Sequence, residues 1–405
     1  MRTFRFFLHR LSVALLAASI AAGAAVCLAA DAPLIQVVKK GSGKNVVSLS
    51  GIQANGRNGK LFVQTLTRDL DLSGWFKTGD GGSVTVRGAV ADTGAGISSQ
   101  LMVQWPGKRF AWNRVSMGAA EIRNQAHKLS DEIVKQIAGE TGNAQSKIVF
   151  VNRKGANRGD IYICDANGMG VSQVTHDNVA CVGPRWSPDA SSVYYTGFLR
   201  GYPEVYRLSL NPPGRKPLAS FKGLNTGAAI APDGRRAALI LSYQGNPELY
   251  ILDLASGYLQ RMTKTPRGSE ASPAWSPDGS SIAYVTDITG KPQIYLLNVA
   301  TRRSSRLTYT GTENVNPDWN KKGQIVYASK RGGGFRIYTM TARGDGGAES
   351  VDSPYDAEHP SWAPDGRHVV CNARGALYIL DTQGDAPVRL FNIPGNWMSP
   401  DWSGR

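Results

Sequence analysis

The chain has 405 residues, of which 41% are hydrophobic, 9% aromatic and 19% charged, with 46 glycines and a formal net charge of +15. This composition is too apolar for a disordered chain, and four cysteines are too few for a small disulfide-stapled fold. A polytopic membrane protein is excluded as well, because only one apolar run approaches the length that spans a bilayer. We expect a globular protein with more than one core.

The apolar run lies at the amino terminus and is typical of a secretory signal peptide. The first ten residues carry three arginines, residues 11–30 are uncharged and rich in Ala, Leu and Val, and Asp31 follows. This pattern predicts export with residues 1–30 removed, and an uncleaved anchor helix is the alternative. A lipid anchor on Cys27 is not expected, because Val26 stands where a lipoprotein signal has Gly or Ala.

Loss of the three signal arginines lowers the formal charge from +15 to +12. A basic exported protein is expected to meet acidic envelope polymers or an acidic protein partner, and no nucleic acid. Cys164 and Cys181 are close enough in sequence to form a disulfide in an oxidising compartment, and the sequence leaves this open. Cys371, within an apolar run, is expected to be a buried small hydrophobe.

A repeated motif predicts the fold of the remaining chain. The pattern Pro-x-Trp occurs five times, and its tryptophans are Trp186, Trp275, Trp319, Trp362 and Trp402. In three of these copies Ser-Pro-Asp or Ala-Pro-Asp follows the tryptophan. A degenerate sixth copy has Ile230 in the place of the tryptophan. The steps along these six positions are 44, 45, 44, 43 and 40 residues, which is the period of a four-stranded propeller blade. Each period also contains a strand centred on a tyrosine: Tyr162, Tyr206, Tyr250, Tyr295, Tyr338 and Tyr378.

Strand counting predicts an all-β six-bladed propeller over residues 144–405. The apolar run at 148–151 has no Pro-x-Trp strand before it, whereas the chain ends with such a strand at 399–403. We expect the final strand to complete the blade that begins at 148, because ring closure removes open sheet edges. The repeated aromatic residues are expected in the core between blades. Four aspartates are expected to serve the turns between strands: Asp189, Asp233, Asp278 and Asp365.

Residues 31–143 lack the period and are expected to form a small α+β domain before the propeller. Short apolar runs stand at 46–49 and 61–64, a helix is predicted within 66–76, and a hairpin is predicted from 84–91 and 100–104. The clearest helix is predicted over about 119–137, where one apolar stripe recurs at helical spacing: Ile122, Ala126, Leu129, Ile133 and Ile137.

No motif for catalysis or metal binding is found in the sequence. A phosphate loop near Lys44 is excluded, because Val38 and Asn45 stand where the motif requires Gly and Ser or Thr. His127 lies on the predicted amphipathic helix, and the three other mature histidines lack metal-ligand spacing: His176, His359 and His368. Hydrolases that carry a propeller also need a catalytic domain, and the roughly 110 residues before this one lack a nucleophile motif.

A propeller without its own chemistry is expected to bind a partner. The loops that join each outer strand to the next Pro-x-Trp strand emerge on one face around the channel, and we call this face the mouth. Its loops are 175–183, 221–227, 264–272, 309–316, 353–359 and 392–398. The candidate contact residues are varied polar groups, one leucine and one tryptophan: His176, Asn178, Leu224, Asn225, Ser269, Glu270, Glu313, Asn314, Glu358, His359 and Trp397.

With these features the chain resembles the TolB family of periplasmic proteins of the Tol–Pal envelope system. The likeness rests on the signal peptide, the small α+β domain, the six repeats, the sequence His-Lys-Leu-Ser-Asp-Glu-Ile at 127–133 and Trp402 near the end. It implies a non-enzymatic periplasmic adaptor that maintains outer-membrane integrity and supports envelope constriction at division.

The resemblance also implies partners. The mouth would receive the peptidoglycan-associated lipoprotein Pal, and other outer-membrane or peptidoglycan-associated proteins are further candidates. The mature amino terminus would engage TolA through a segment that can pair as an added strand: Leu34, Ile35, Gln36, Val37 and Val38. Some family members hold calcium in the channel, although no motif here demands it and no cofactor is expected.

Three departures from the family pattern leave the docking of the partner open, the first being an amino-terminal domain that is short for the family. The second repeat lacks its Pro and Trp, and Asn225 and Glu270 stand in mouth loops that have no histidine. An exported propeller enzyme or a glycan-binding module is the alternative function. DNA binding driven by the positive charge would show as steeply salt-sensitive retention and is not expected.

Overall fold

The computed structural model describes residues 43–404. The signal segment 1–30 and the predicted strand segment 34–38 therefore lie outside the described residues. Within 43–404, the strands and helices of the first domain fall between Asn45 and Ala138, and the propeller strands fall between Lys147 and Trp402. No helix in this range has both the length and the apolar character needed to cross a membrane.

The first domain is a five-stranded sheet covered by two helices. Its elements are β1 (Asn45–Ala54), α1 (Gly56–Leu72), β2 (Phe76–Thr78), β3 (Val84–Asp92), β4 (Gly96–Trp105), β5 (Lys108–Met117) and α2 (Gly118–Ile133). The strand order is β2-β1-β3-β4-β5, with β1 parallel to both neighbours and β3, β4 and β5 antiparallel. The helices bury Phe62, Leu66 and Leu129 completely against the sheet. A π-helical turn, Val134–Ala138, continues α2 until Gly139 ends it with φ +71°.

The predictions for this domain are partly confirmed. The hairpin and the second helix form as expected, whereas the first helix begins ten residues before the predicted region, at Gly56. The run 61–64 lies within α1, because Phe62, Leu66 and Leu70 recur at the spacing of one helix face. The short strand β2 and the edge strand β5 were not predicted.

The propeller begins with three strands, β6 (Lys147–Gly155), β7 (Arg158–Asp165) and β8 (Ser172–Gln173). Five complete four-stranded blades follow. They are blade 1, β9 (Cys181–Trp186), β10 (Ser192–Gly197), β11 (Glu204–Leu210) and β12 (Pro213–Ala219); blade 2, β13 (Asn225–Ile230), β14 (Arg236–Leu241), β15 (Glu248–Asp253) and β16 (Leu259–Arg261); blade 3, β17 (Glu270–Trp275), β18 (Ser281–Thr286), β19 (Gln293–Asn298) and β20 (Ser304–Arg306); blade 4, β21 (Glu313–Trp319), β22 (Gln324–Lys330), β23 (Phe335–Thr341) and β24 (Gly344–Ser350); and blade 5, β25 (Ala357–Trp362), β26 (His368–Ala373), β27 (Ala376–Asp381) and β28 (Val388–Arg389).

The last strand, β29 (Trp397–Trp402), completes blade 6 in the order β29-β6-β7-β8. It pairs antiparallel with β6, with Trp402 opposite Ile148. Lys147 N donates to Ser403 Oγ at 2.9 Å, and Trp402 Nε1 donates to Ser146 Oγ at 2.7 Å. The predicted six-bladed propeller, closed by the end of the chain, is therefore confirmed.

The repeated aromatic residues lie between blades, as predicted. Trp186 Nε1 donates to the carbonyl of Asp401 at 3.1 Å, and Trp275 Nε1 donates to the carbonyl of Ala229 at 3.0 Å. The turn aspartates have the expected role, since Asp278 accepts from Ser276 Oγ at 2.6 Å. The two tryptophan hydrogen bonds tie the inner strand of blade 1 to that of blade 6, and the inner strand of blade 3 to that of blade 2.

The three cysteines in the described residues are buried and have free thiols. Cys164 and Cys181 lie in separate hydrophobic clusters, so the open question of a disulfide is answered by two unpaired side chains. Burial raises the pKa of Cys181 to about 12. Cys371 is fully buried in β26 and has the predicted role of a small core residue.

The first domain packs on the propeller face opposite the mouth. Arg367, in a turn between the first two strands of blade 5, donates from Nη2 to the carbonyl of Gly74 at 3.0 Å. Asn143 Nδ2 donates to Asp365 Oδ2 in the same turn at 3.0 Å. Because strands alternate in direction, these turns lie at the end of the blades away from the mouth, which leaves the mouth uncovered by this domain.

Candidate protein-binding site at the propeller mouth

A bulge at the same place in all six inner strands shapes the channel. The pairing of each inner strand with the next strand shifts register just before the Pro-x-Trp position. The residue at the bulge has a positive φ of 47° to 69° in every blade: Gly183, Gly227, Ser272, Asn316, His359 and Ser399. The bulge turns the inner strand so that the residue between Pro and Trp faces the channel axis. In blade 2, Gly227 preserves this geometry although Pro and Trp are missing.

The residues between Pro and Trp line a cavity of about 330 Å³ in the channel: Arg185, Ala229, Ala274, Asp318, Ser361 and Asp401. The Arg185 guanidinium lies 2.7 Å from the Asp401 carboxylate in the neighbouring blade and 3.4 Å from the Asp318 carboxylate in the opposite blade. An ion triad therefore spans the channel. Ser361 Oγ adds a hydrogen bond to Asp401 at 3.2 Å.

The charges of the triad stabilise one another. Burial would lower the pKa of Arg185, but Asp401 and Asp318 raise it above its ordinary value. Burial raises the pKa of Asp318 to about 6, against the opposing effect of the guanidinium. Burial and the charge of Arg185 lower the pKa of His359 to about 4, so that this imidazole is neutral at neutral pH.

The two carboxylates in the channel have hydrogen-bond partners within the chain. Within residues 43–404, no group of three or more His, Cys, Asp or Glu side chains is arranged to hold a metal ion. Both carboxylates in the channel already accept hydrogen bonds on both oxygens, from Arg185, Ser361 and the backbone N–H groups of Trp186 and Trp362.

The structure places seven of the predicted contact residues where a partner could reach them. His176, Asn178 and Ser269 are exposed, and four others are half-buried: Leu224, Glu313, Glu358 and His359. Burial, together with the charges of Asp356 and Glu313, raises the pKa of Glu358 above its ordinary value. These residues surround the channel opening, and their role in binding stays a prediction.

Three predicted contact residues are buried instead: Asn225, Glu270 and Asn314. Each stands five residues before the position of the repeated tryptophan and turns inward against the preceding blade. Asn314 Nδ2 donates to Gln293 Oε1 at 2.9 Å, and Asn225 Nδ2 donates to the carbonyl of Pro203 at 3.1 Å. The interpretation of these three side chains as exposed contacts is wrong, because they anchor the loops between blades.

Glu270, one of these three buried residues, has the carboxyl group of Glu248 as a neighbour. It accepts a hydrogen bond from Thr286 Oγ1 at 3.1 Å, while Glu248 pairs with Arg261 at 2.8 Å. Burial raises the pKa of Glu270 to about 7, and the neighbouring Glu248 adds to the shift. At neutral pH the pair therefore shares a proton for part of the time.

Trp397 is also buried, with 2% of its surface exposed, so the interpretation of an exposed tryptophan is wrong. Its ring packs edge-on against Phe150, Tyr162 and Phe391 at centroid distances of 5.2–5.4 Å. Its Nε1 donates to the carbonyl of Ile393 at 2.9 Å. Trp397 therefore belongs to the core that closes blade 6.

Sequence reasoning missed five exposed apolar side chains in the mouth loops: Tyr202, Ile288, Tyr309, Tyr355 and Ile393. Three of them lie in loops that return to an inner strand, and Tyr202 and Ile288 lie in loops between the second and third strands, which emerge on the same face. A large apolar residue isolated among Gly, Pro, Asp and Thr in a predicted loop is the signal that could have found them.

Among these residues, Tyr355 has two arginine side chains packed on its ring. The guanidinium groups of Arg336 and Arg374 lie 4.8 and 5.3 Å from its ring centroid, and 43% of its surface stays exposed. A Cβ on Gly334 would collide with the ring and with the Asp356 carboxylate, so this close packing requires glycine. The ring is therefore supported by two guanidinium groups while part of its surface stays exposed, as is typical of contact residues in protein interfaces.

The sequence profile of the TolB β-propeller domain matches residues 134–405. The chain belongs to the TolB β-propeller family. The Tol-Pal system protein TolB of Alcanivorax borkumensis is 35% identical over 130 residues, which are 31% of this chain and 30% of that protein. The TolB homolog of Chlorobium chlorochromatii is 29% identical over 276 residues, covering 61% of this chain and 62% of that protein.

The crystal structure of TolB from Acinetobacter baumannii has the same fold, with a TM-score of 0.78 and 24% identity. The superposition covers 91% of this chain and 99% of that TolB chain. The sequence matches to the two curated TolB relatives span 30% and 62% of their lengths.

Proposed function

We propose that this protein is a non-enzymatic periplasmic adaptor of the Tol–Pal envelope system, and that its mouth binds a partner protein. The observation that carries the proposal is the distribution of exposed large apolar residues on the propeller. Among the described residues there are eight, and six lie at the mouth: Val182, Tyr202, Ile288, Tyr309, Tyr355 and Ile393. Of the other two, Tyr258 lies on the opposite face and Val388 lies on an outer strand.

This distribution supports protein docking over ligand turnover. Tyrosine and arginine are enriched among residues that dominate protein interfaces, and clustered exposed apolar groups mark such surfaces. In the channel beneath the mouth, both carboxylates are paired with the Arg185 guanidinium. The mouth would therefore act as a rigid docking ring.

The partner that we propose for the mouth is the peptidoglycan-associated lipoprotein Pal. The relatives that carry the name Tol-Pal system protein support membership of this system. The signal-like amino terminus supports export to the periplasm. In that place, the adaptor would maintain outer-membrane integrity and support envelope constriction at division.

The partner that we propose for the mature amino terminus is TolA. The apolar stretch Leu-Ile-Gln-Val-Val at 34–38 has the composition of a strand that adds to the sheet of another protein. A chain lacking residues 31–38 is expected to lose TolA binding and to keep binding at the mouth. Loss of both activities would contradict the assignment of two separate sites.

The proposal is tested by titrating the purified mature chain, residues 31–405, with the soluble peptidoglycan-binding domain of Pal in a calorimeter. A saturable one-to-one complex is expected. No detectable binding, together with turnover of peptide or glycan substrates by the same preparation, would contradict the adaptor and support the enzyme alternative.

A further inference from the structure

We infer that Arg185 is the built-in counter-cation of the propeller channel, so that this channel excludes the divalent cation that its carboxylates would otherwise bind. Of the six side chains that face the channel axis between Pro and Trp, two are acidic, one is basic, one is a serine and two are alanines. The acidic pair, Asp318 and Asp401, lies in blades 4 and 6. Arg185 lies in blade 1, and its guanidinium contacts both of these carboxylates.

The hydrogen bonds leave no carboxylate oxygen free. Asp401 receives Arg185 Nη1 at 2.7 Å on Oδ1 and the backbone N–H of Trp186 at 2.7 Å on Oδ2. Asp318 receives Arg185 Nη1 at 3.4 Å on Oδ1 and the backbone N–H of Trp362 at 2.8 Å on Oδ2. A calcium ion needs about six to eight oxygen ligands, and the guanidinium holds the position between the two carboxylates.

The other side chains between Pro and Trp add no further charged partner for a cation. Ala229 and Ala274 fill the remaining two blades, and the Ser361 hydroxyl already donates to Asp401 at 3.2 Å. A guanidinium keeps its charge at all relevant pH values, so a second cation beside it would be repelled. The cation that pairs with both channel carboxylates is therefore covalently part of the chain.

Removal of Arg185 should convert the same carboxylates into a cation site. In Arg185→Met the apolar stem is kept and the charge is lost, which leaves Asp318 and Asp401, two blades apart in the channel, without a compensating cation. A calcium ion, which can also take water ligands, would then relieve their repulsion. This inference concerns the channel alone and does not depend on the proposed partners at the mouth.

The test uses the mature chain with calcium chloride alone, at constant ionic strength, and follows binding by calorimetry and the melting temperature. Terbium emission sensitised by the channel tryptophans gives an independent signal. The native chain is expected to show no saturable binding and no calcium-dependent shift in melting temperature. Arg185→Met is expected to bind one ion and to melt several degrees higher in calcium, and the double variant with Asp318→Asn is expected to lose both effects.

Two results would overturn the inference. One is stoichiometric calcium binding by the native chain that disappears in Asp318→Asn. The other is a folded Arg185→Met that binds no calcium. If Arg185→Met fails to fold, the comparison of the native chain with Asp318→Asn decides the matter, and Arg185→Lys, which keeps the charge, serves as the matched control and should behave like the native chain.

Discussion

His127 and Asp165 meet where the first domain contacts the propeller, with Nε2 of the imidazole 3.4 Å from Oδ2 of the carboxylate. On its other side, His127 Nδ1 lies 2.7 Å from Oδ2 of Asp69 in α1. Asp165 also pairs with Arg123 at 2.6 Å and with Lys147 at 2.7 Å. One buried histidine on the last helix thus joins both domains through carboxylates on two sides.

The charge on His127 is expected to make stability depend on pH. Burial alone would lower the pKa of His127, but the neighbouring carboxylates of Asp165 and Asp69 raise it to about 9. A raised histidine pKa adds stability below about pH 6.5 and loses it as the pH rises through the folded-state value. At pH 6 we expect the free energy of unfolding of His127→Gln to be about 3 kcal/mol lower than that of the native chain.

Urea unfolding at pH 6 and pH 9.5 measures this effect. The difference between the native chain and His127→Gln should shrink at the higher pH, where the native imidazole is neutral. His176→Gln, at an exposed mouth position, is the control and should match the native chain at both values. A difference for His127→Gln that is the same at both pH values would contradict a charged histidine.

Glu270 is expected to make stability fall with rising pH as well, but its substitution should stabilise the chain. Its pKa of about 7 lies above that of an exposed glutamate, because burial and Glu248 disfavour the carboxylate. The folded state therefore binds more protons, and stability falls as the pH rises from about 4.3 through 7. Glu270→Gln should be more stable than the native chain by roughly 1–3 kcal/mol at pH 8 and nearly equal to it at pH 4.5.

Chemical denaturation at the two pH values checks the prediction for Glu270. Glu313→Gln, on the half-buried side of the next mouth loop, is the matched control and should change stability little. A destabilised Glu270→Gln at pH 8 would show that the carboxylate supports the loop through its hydrogen bonds and that the buried charge carries no net penalty.

Trp397 is expected to act through the core and not through partner contact. Trp397→Ala removes a ring that packs on three aromatic neighbours and should lower the free energy of unfolding by about 3–5 kcal/mol. Calorimetric melting of the variant measures this loss. An unchanged melting temperature combined with weaker partner binding would restore the role of an exposed contact.

Closure of the ring by β29 is expected to be essential. A chain that ends at residue 396 lacks the strand that pairs with β6. The edge of a three-stranded sheet and the site where Trp402 packs would then be exposed. We expect loss of the cooperative melting transition, whereas a chain that ends at Ser403 should melt like the full chain. A cooperative transition in the shorter chain would contradict the closed propeller.

The repeat made the propeller predictable, because Pro-x-Trp and the tyrosine strands recur at a fixed spacing that few other folds share. Even blade 2 could be placed, since Asp233 and Gly234 preserve its turn. The first domain was harder to predict. The run 61–64 is compatible with a strand or a helix, and only its packing with Leu66 against the sheet decides for the helix.

The mouth loops were located correctly, but the exposure of their side chains could not be read from the sequence. Asn225 and Glu270 are polar residues at the starts of inner strands, yet both are buried. Asn225 donates to the carbonyl of Pro203 in the preceding blade, and Glu270 accepts from Thr286 of its own blade. Conversely, Tyr309 resembles the core tyrosines in type, and only the fold shows that 69% of its surface is exposed. Burial here depends on contacts between blades, which no local pattern encodes.

Docking at the mouth is tested most directly by the affinity of the soluble Pal domain for mouth variants. Tyr355→Ala and Tyr309→Ala remove exposed rings from the mouth, whereas Tyr258→Ala removes a ring that is 65% exposed on the opposite face and serves as the matched control. We expect each mouth variant to bind more than about tenfold more weakly with an unchanged melting temperature, and Tyr258→Ala to bind like the native chain. Full affinity in both mouth variants, or a loss confined to Tyr258→Ala, would contradict docking at the mouth.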